Sequence, residues 1–508
     1  MPLFTQTARL LFRRRLKQLE RGERQAAGLQ QAQLRNLLDK AAHTVWGERY
    51  DFAHLHDYQT FSERVPLQVY DEISPYVQRM IQGEKDVLWP GSTRWFAKSS
   101  GTTSDKSKFI PVTPAVLHKS HYQGPADCIA YYLRNYPDSR FFEGKGLILG
   151  GSHSPASLNS QAHQGDLSAV LLQHLGPLVE LFRVPSRRII LMDEWESKLK
   201  AIVEHTCRAN VTSISGVPSW MLTLIKAILA YTGKTTLNEV WPNLEVFIHG
   251  GISFEPFRQC YKQLIPSDGM HYVETYNASE GFFALQNEPN DPAMLLMTDY
   301  GIFYEFVPLE ELERPNPQAV PLEGVETGRN YALVISTPGG LWRYLIGDTV
   351  RFTSTNPYKL VITGRTKHFI NAFGEELMVG NADKALAMTC EETGAILREY
   401  TAAPLFALEG KAEGCHQWLI EFEKRPTDMA LFAKRLDDHL QEVNSDYEAK
   451  RYKQISLAPP EVLVAREGLF YEWLRNRGKL GGQHKIPRLS NSRDLLEELL
   501  ALNNDQKR

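Results

Sequence analysis

Short apolar runs alternate with longer amphipathic stretches through the first half of the sequence. Four of these runs lie at residues 146–150 (GLILG), 188–192 (RIILM), 211–215 (VTSIS) and 244–248 (LEVFI). Helical patterns lie between several of them, and one such helix, over 220–231, is expected to stop at Gly233. This alternation predicts an α/β fold in which helices flank mainly parallel sheets.

The second half of the sequence has a different pattern. Residues 331–337 (YALVIST) and 341–348 (LWRYLIGD) flank a Pro-Gly-Gly turn and predict an antiparallel pair. Beyond Thr366 the pattern predicts helices and amphipathic strands, with helices over 381–393 and 428–443 and strands over 405–408, 418–422 and 461–465. We therefore predict a large domain over 1–365 and a smaller α+β domain over 366–508.

The first residues are basic and amphipathic. Residues 1–20 (MPLFTQTARLLFRRRLKQLE) lack the uninterrupted apolar core of a secretory signal. A transit peptide and a membrane-surface helix both have this pattern, but we favour a helix that packs on the body of the protein. Further on, Thr113 and Pro114 are typical of a helix start and predict a helix through Tyr132.

Composition excludes several classes of protein. The 508 residues are 43% hydrophobic and 23% charged, with a net charge of −3, so we expect neither nucleic acid nor an anionic membrane as a partner. The five cysteines are scattered without a Cys-x-x-Cys pair, which favours a reducing compartment and disfavours structural zinc. No apolar run approaches the roughly 18 residues of a membrane span. We expect a cytoplasmic protein without an obligate protein partner.

A polar run follows the apolar residues Trp95–Ala97. Residues 99–108 read SSGTTSDKSK, with six hydroxyl side chains and two lysines around one glycine. A glycine lets the backbone approach a phosphate, hydroxyl groups add hydrogen bonds, and Lys106 or Lys108 adds positive charge. The run predicts a polyphosphate-binding loop, although a surface turn has the same composition. It lacks the P-loop pattern, which disfavours a P-loop kinase or GTPase.

Two predicted strands run into turns with candidate binding residues. The strand that ends at Ile248 is followed closely by Gly250 and Gly251, and the next apolar stretch ends at Tyr276, before Glu280. Ligands gather at the carboxyl ends of parallel strands, so we expect both turns to open onto one crevice. The glycines leave room for a flat ring, Tyr276 suits stacking on it, and Glu280 suits Mg²⁺. Singly, each residue also fits a tight turn, a core tyrosine or a solvated loop.

Two more candidates lie further along the sequence. Asp348 follows Gly347, where a carboxylate suits the two hydroxyl groups of a ribose, although an aspartate here also suits a plain turn. Residues 478–488 (GKLGGQHKIPR) form a glycine-rich, basic segment that contains Lys485. This segment fits either a contact with a ligand or a solvated loop.

The order and spacing of these motifs resemble the adenylate-forming enzymes. Within them, SSGTTSDKSKFIPVT, YNASEG and RYLIGD resemble the Gretchen Hagen 3 family of acyl acid amido synthetases, and specifically a bacterial member. The resemblance implies that ATP, with Mg²⁺, and a small carboxylic acid give an acyl-adenylate and pyrophosphate. The amine of an amino acid then attacks the adenylate to form an amide.

The resemblance also implies roles for individual residues. Ser100, Thr102 and Thr103 would hold the β and γ phosphates, and Lys485 would reach phosphate or carboxylate oxygens from a mobile C-terminal domain. The candidate nucleotide-binding residues are Ser99, Ser100, Gly101, Thr102, Thr103, Gly250, Gly251, Tyr276 against adenine, Asn277, Ala278, Ser279, Asp348 on the ribose and Arg365 near the ribose at the hinge. The candidate catalytic residues are Lys485 and Glu280, and Glu280 is also the candidate metal ligand.

Some alternatives stay open. Arg343 lies on the other side of the tyrosine from the arginine of plant members, so no contact with the base is inferred for it. An acid–thiol ligase shares the first half-reaction, and a non-catalytic sensor of nucleotide or acid belongs to another class. Four residues fit either an apolar acid pocket or, as we favour, the core: Trp220, Met221, Phe282 and Phe283.

Overall fold

The structure is a computed structural model that describes most of the chain. The described residues are 3–99, 108–149, 156–192, 194–312, 314–366, 369–370, 372–373, 375, 377–406, 414–451, 457–480 and 485–504. The chain divides into two compact units: the first holds Met1–Val217, Lys226–Gly251 and Asp268–Ile362, and the second holds Pro218–Ile225, Ile252–Ser267 and Thr363–Arg508. The second unit thus takes in two segments that precede the predicted domain border. The division into 1–365 and 366–508 stays a prediction.

The helices and strands are numbered in chain order. The helices are α1 Leu3–Arg24, α2 Ala26–Ala41, α3 Val45–Arg49, α4 Tyr58–Arg64, α5 Tyr70–Ile81, α6 Pro114–Val116, α7 Gln123–Asn135, α8 Leu167–Gln173, α9 Pro177–Glu180, α10 Arg187–Ile190, α11 Trp195–Thr206, α12 Pro218–Thr232, α13 Arg258–Leu264, α14 Val379–Thr393, α15 Met429–Val443, α16 Ser445–Arg451, α17 Leu469–Asn476 and α18 Asp494–Asn504. The strands are β1 Trp95–Ser99, β2 Lys108–Pro111, β3 Lys145–Ile148, β4 Ala156–Ser157, β5 His163–Gly165, β6 Arg183–Val184, β7 Val211–Gly216, β8 Val246–Gly250, β9 His271–Ala278, β10 Gly281–Leu285, β11 Met294–Leu296, β12 Phe303–Pro308, β13 Val320–Pro321, β14 Asn330–Ser336, β15 Tyr344–Thr355, β16 Tyr358–Arg365, β17 Phe369–Ile370, β18 Leu377–Met378, β19 Ile396–Leu405, β20 Cys415–Lys424 and β21 Glu461–Val464.

The largest sheet combines a parallel and an antiparallel half. Among the described residues its order is β13-β12-β14-β15-β16-β11-β10-β9-β8-β7-β3-β6. Strands β6, β3, β7, β8 and β9 run parallel, whereas β9 pairs with β10 in the antiparallel direction, as does β14 with β15. The predicted α/β fold is confirmed, and the predicted antiparallel pair over 331–348 is present. Strand β9 is the border between the two halves.

The first helices cover the first unit. Leu19 of α1 is buried in a hydrophobic cluster with Tyr131 and Tyr132, and Phe12 and Leu16 pack against the same cluster. The predicted packing of this helix on the protein body is therefore confirmed. Within the described ranges, no helix is both long enough and apolar enough to cross a membrane.

The second unit contains the predicted α+β pattern. Strands β19, β20 and β21 form a sheet, and α14 and α15 share a buried core with it, including Tyr400, Trp418 and Leu436. Helix α15 begins where predicted because the Asp428 carboxylate accepts hydrogen bonds from the amides of Ala430 and Leu431. Of the predicted strand over 405–408, Leu405 is the last residue of β19 and Phe406 lies beyond it, while residues 407 and 408 lie outside the described residues.

Two predictions in the first unit are also corrected. The apolar run 188–192 lies partly in the helical turn α10, because the carbonyl of Ser186 accepts the amides of Ile189 and Ile190. A short apolar run has the same pattern in a buried strand and in a buried helical turn. The helix that starts at Thr113 changes after α6 into a π-helical turn, 117–121, before it continues as α7.

Candidate active site

Two neighbouring strand ends bring candidate residues together. Strands β8 and β9 are parallel, and Gly250 is the register partner of Thr275. Gly250, Gly251 and Tyr276 therefore lie at the same edge of the sheet. A Cβ on Gly250 would lie 2.3 Å from the carbonyl oxygen of Thr275, so only glycine allows this close approach of the two strands.

Asp348 is placed by an irregularity in strand β15. Ala332 pairs with Thr349 and Val334 pairs with Leu345, so residues 346–348 lie opposite Leu333 alone. This β-bulge bends the strand and re-aims Asp348, and it is possible because Gly347 has a φ of 92°, in the left-handed region. The sequence predicts a strand that ends at Asp348, whereas β15 continues through the bulge to Thr355.

Tyr276 and Asp348 are joined by a hydrogen bond. The Tyr276 hydroxyl donates to Oδ2 of Asp348 at 2.8 Å. The Tyr276 ring is only 4% exposed and packs edge-on against Phe283, with centroids 4.9 Å apart. The hydroxyl therefore fixes the orientation of the carboxylate, which stays partly exposed. Stacking of the Tyr276 ring on adenine stays a prediction.

The candidate metal ligand lies in a tight hairpin turn. Ala278 pairs with Gly281, so Ser279 and Glu280 connect β9 to β10. Asn277, next to Ala278, is exposed, whereas Ser279 and Glu280 are 4% and 6% exposed. A glutamate in a turn is normally solvated. Glu280 thus differs from an ordinary loop glutamate, because it is buried at the same sheet edge as Tyr276.

Lys108 lies against Tyr70, whose hydroxyl interacts electrostatically with Glu280 of this turn. Lys108 at the start of β2 is the register partner of Ser99 at the end of β1. Its Nζ lies 3.4 Å from the Tyr344 hydroxyl and 5.6 Å from the Tyr70 ring centroid. Burial raises the pKa of the Tyr70 hydroxyl, and the Glu280 carboxylate adds to this rise. Tyr70 therefore lies within electrostatic range of both charged groups.

The structure leaves part of the predicted loop undescribed. Ser100, Gly101, Thr102 and Thr103, together with Lys106, lie outside the described residues. Their assignment to the phosphates stays a prediction.

Sequence reasoning missed His121, which lies in the π-helical turn. The side chain is 3% exposed, and its Nε2 has no hydrogen-bond partner among the described residues. Burial lowers its pKa to about 4, against a smaller opposing effect of the Ser279 backbone. His121 is thus a neutral imidazole beside the Ser279–Glu280 turn. Irregular π turns are frequent at functional sites, but no sequence pattern marks this one.

Arg343 has a structural role. Its Nε and Nη2 donate to the Glu305 carboxylate, and its Nη1 donates to the carbonyl oxygens of Ser62 and Val65. Arg343 and Glu305 are both buried. The three guanidinium nitrogens are used within the fold, which explains this arginine without any contact with a base.

Arg365 and Lys485 belong to the second unit. Arg365 is the last residue of β16, and Lys485 is exposed. The segment that follows Lys485 is held firmly, because Thr401 donates to the Pro487 carbonyl at 2.7 Å and the Ala402 amide donates to the Arg488 carbonyl at 2.8 Å. The structure therefore fixes the chain within a few residues of Lys485.

Arg488 is the buried anchor of this segment. Its Nη1 lies 2.5 Å from Asp383, its Nε lies 3.8 Å from Glu399, and its guanidinium lies 5.1 Å from the Tyr400 ring centroid. Among the described residues, Nη2 of Arg488 and Oδ2 of Asp383 have no hydrogen-bond partner.

Solved structures share this fold along nearly the whole chain. AtGH3.15 acyl acid amido synthetase in complex with 2,4-DB has a TM-score of 0.78 at 18% identity, covering 99% of this chain and 96% of that one. A 2-hydroxyisobutyryl-CoA ligase in the postadenylation state has a TM-score of 0.58 at 13% identity, covering 94% and 91%. The fold is that of the adenylate-forming enzymes.

Sequence comparison gives the family. Indole-3-acetic acid-amido synthetase GH3.4 of Arabidopsis thaliana is 24% identical, covering 93% of this chain and 91% of that protein. Jasmonoyl--L-amino acid synthetase GH3.5 of Oryza sativa subsp. japonica is 24% identical, covering 94% of each. The sequence matches the GH3 family N-terminal domain over 15–270, the GH3 family central domain over 295–365 and the GH3 family C-terminal domain over 380–494. Because these matches span well over half of the sequence, the chain belongs to the GH3 family.

Proposed function

We propose that this protein is an ATP-dependent acyl acid amido synthetase that joins a small carboxylic acid to the amine of an amino acid. The observation that carries the proposal is the sheet edge where Gly250 lies beside Thr275 and where Tyr276 holds Asp348 by a 2.8 Å hydrogen bond. This edge lies in a chain that belongs to the GH3 family. The two plant relatives are named as an indole-3-acetic acid-amido synthetase and a jasmonoyl--L-amino acid synthetase.

The first step is transfer of an adenylyl group. A carboxylate oxygen of the acid attacks the α-phosphorus of ATP, the bond to the bridging β-phosphate oxygen breaks, and pyrophosphate leaves. Gly250 and Gly251 offer a surface without side chains for the adenine ring, and Asp348 accepts hydrogen bonds from the ribose hydroxyl groups. The Tyr276 hydroxyl keeps Asp348 oriented while this happens.

The second step forms the amide. The amine nitrogen attacks the acyl carbon of the adenylate, AMP leaves, and the nitrogen loses a proton. The carbon–nitrogen bond forms as the bond between the acyl carbon and the phosphate oxygen of AMP breaks. No covalent enzyme intermediate is needed. The residues of the site thus act by orientation and by charge.

Mg²⁺ fits the residues at this edge. The ion commonly binds one or two carboxylates and takes its other ligands from phosphates and water. Glu280 supplies one buried carboxylate, and the described residues contain no cluster of three His, Cys, Asp or Glu that would form a metal site without a nucleotide. Bound through Glu280, Mg²⁺ would neutralise phosphate charge, and Lys108 adds a positive charge held by Tyr70 and Tyr344.

The remaining roles follow from the family resemblance. We propose that Ser99, Ser100, Gly101, Thr102 and Thr103 bind the phosphates and that Asn277, Ala278 and Ser279 contact the nucleotide. Arg365 contacts the ribose near a hinge, and Lys485 acts from a mobile C-terminal domain over 366–508. The firm anchoring of the segment after Lys485 supports a defined position for this lysine within its own unit. We also propose a bacterial member of the family, from the resemblance carried by SSGTTSDKSKFIPVT, YNASEG and RYLIGD.

Mass spectrometry of one reaction tests the proposed function. The protein is incubated with ATP, Mg²⁺, a pool of aryl, indolyl and aliphatic acids, the common amino acids and coenzyme A. The expected products are an acid–amino acid amide and AMP. A matched reaction with Asp348→Asn controls for contaminating ligases.

Two other results would contradict the proposal. A thioester of coenzyme A with AMP, and no amide, would identify an acid–thiol ligase. ATP that binds to the protein but stays intact with this pool and with a wider panel of acids would favour a non-catalytic sensor.

A further inference from the structure

Helix α1 has apolar residues on two faces, and the fold uses only one of them. Phe12, Leu16 and Leu19 contribute to a hydrophobic cluster of the first unit. Four further apolar side chains lie outside this face: Leu3, Phe4, Leu10 and Leu11, which are 71%, 58%, 66% and 76% exposed. These are four of the ten large apolar side chains found exposed in the described residues, so the exposed side of one helix concentrates apolar surface.

The exposed side is organised along the helix. Residues seven apart lie on the same side of an α-helix, which places Leu3 above Leu10 and Phe4 above Leu11. One, two and three turns further on, Arg14, Lys17 and Arg21 continue the row that contains Leu10, and all are exposed. The exposed side therefore has an apolar first half and a basic second half.

Most of these basic groups are not used by the fold. Arg15 forms ion pairs with Asp127 and Asp299, and Arg9 donates to the Tyr136 carbonyl. By contrast, the structure shows no ion pair within its described ranges for Arg13, Arg14, Lys17 or Arg21. The carboxylates of α1 are Glu20, which is exposed, and Glu23, which accepts the Tyr131 hydroxyl. The helix carries seven basic and two acidic side chains, a net charge of +5 in a chain of net charge −3.

The apolar surface continues beyond the helix. Phe4 contacts Phe182 with ring centroids 6.1 Å apart, and Leu181 beside it is 60% exposed. Phe4, Leu181 and Phe182 line a groove of about 450 Å³, which also contains Lys145 and Arg208. The groove thus combines apolar and basic side chains, as α1 does, and it also contains Glu143, whose carboxylate accepts the amides of Phe4 and Thr5.

We propose that the exposed side of α1, with Leu181 beside it, binds an anionic lipid bilayer. Leu3, Phe4, Leu10 and Leu11 would enter the boundary between headgroups and acyl chains, and the basic side chains would contact anionic headgroups. A helix that lies in the membrane surface combines these two features. The net charge of the whole chain predicts no membrane partner, but the local charge of α1 is of the opposite sign.

Vesicle binding of the full chain tests this proposal. The partition coefficient is measured by sedimentation with vesicles of phosphatidylcholine alone and with vesicles of phosphatidylcholine and phosphatidylglycerol in equal parts. We expect binding to the anionic vesicles, weakened by salt, and little binding to the neutral ones.

Paired variants assign the binding to the helix. Arg14→Gln with Lys17→Gln is expected to weaken anionic binding by about fivefold per charge, hence roughly 25-fold. Leu10→Gln with Leu11→Gln is expected to weaken it at least about tenfold. Tyr231→Gln with Leu431→Gln, and Lys424→Gln with Arg425→Gln, are matched changes of exposed residues elsewhere and are expected to have no effect.

Three results would overturn the proposal. The first is no binding to either vesicle, and the second is binding that the α1 variants leave unchanged. The third is a dimer in analytical ultracentrifugation that Leu10→Gln with Leu11→Gln abolishes, without vesicle binding, because it would assign the same surface to a second copy of the chain. All variants alter exposed positions, and circular dichroism with thermal unfolding verifies that they are folded.

Discussion

Arg343 and Asp348 are five residues apart in the motif RYLIGD, yet their charges have different roles in the structure. Arg343 is 5% exposed, and its three guanidinium nitrogens donate to Glu305 and to the backbone of the segment before α5. Asp348 lies in the β-bulge, accepts the Tyr276 hydroxyl and stays partly exposed. The charge of Arg343 is enclosed by the fold. The charge of Asp348 is held in one orientation and stays partly exposed at the sheet edge.

The difference separates structural charges from functional ones. A buried charge is tolerated when all its hydrogen bonds are made inside the protein, and removing its partner leaves an uncompensated charge. A charge that is oriented but partly exposed can exchange water for a ligand. Arg488 in the second unit is an intermediate case, since it is buried but one of its nitrogens has no partner among the described residues.

The largest expected effect is loss of stability from Arg343→Met. The variant would leave the Glu305 carboxylate buried without its cation, which costs about 3–5 kcal/mol. Urea unfolding measures this loss. Arg329→Gln, which breaks the exposed pair with Glu310, is the control and is expected to cost at most about 1 kcal/mol. A loss for Arg343→Met no larger than for the control would show that the buried pair is not a structural element.

The next effect concerns the pH dependence of stability at the Arg488 cluster. Burial raises the pKa of the Glu399 carboxyl from 4.5 to about 7, against the opposing effect of Arg488. A raised folded-state pKa means that the contribution of Glu399 to stability is full below about pH 4.5 and is lost as the pH rises through about 7.

Glu399→Gln removes this titration. The stability of the variant relative to the native chain should therefore rise by about 3 kcal/mol across that window. Urea unfolding at several pH values measures the difference, with the exposed Glu448→Gln as the control. Parallel profiles for Glu399→Gln and the native chain would contradict the assignment.

A smaller effect is expected at the presented carboxylate. Asp348→Asn keeps the shape of the side chain but removes the charge that would accept the ribose hydroxyl groups. We expect kcat/KM for ATP–pyrophosphate exchange to fall roughly 100-fold, while the free energy of unfolding changes by less than about 1 kcal/mol. Unchanged exchange would remove Asp348 from the nucleotide site.

The smallest effect is expected from Tyr276→Phe. This change deletes the hydroxyl that orients Asp348 but keeps the ring, so exchange should fall about tenfold. Tyr331→Phe is the matched control, because its hydroxyl accepts the Glu326 amide in the same sheet and has no proposed contact with the nucleotide. An equal loss of exchange in both variants would indicate a general effect on the sheet.

Patterns that repeat over a whole element could be predicted from the sequence. Several features are encoded by the local sequence, and the structure contains each of them. They are the period of α12 and its stop at Gly233, the Asp428 cap of α15, and the apolar runs of β3, β7 and β8. The prediction of a strand over 188–192 was wrong because an apolar run of this length fits a buried helical turn as well as a strand.

The site was only partly predictable because its geometry depends on distant residues. The proximity of Gly250 and Tyr276 follows from the rule that parallel strands end at one edge. The bulge that re-aims Asp348 depends on its pairing with β14, and the burial of His121 depends on packing around a π turn. Neither leaves a pattern in the local sequence. The roles of the individual site residues stay predictions.

Strand β9 has a consequence for how this protein acquires activity. The strand is parallel to β8 and antiparallel to β10. It therefore joins a half of the sheet whose strands are linked by long connections to a half that contains short hairpin loops. Hairpins close over short loops, whereas parallel strands need long crossovers, and long-range pairing is slow. Tyr276 is positioned only after both halves have paired with β9. During refolding we therefore expect nucleotide binding to recover with the slowest phase, later than most of the secondary structure.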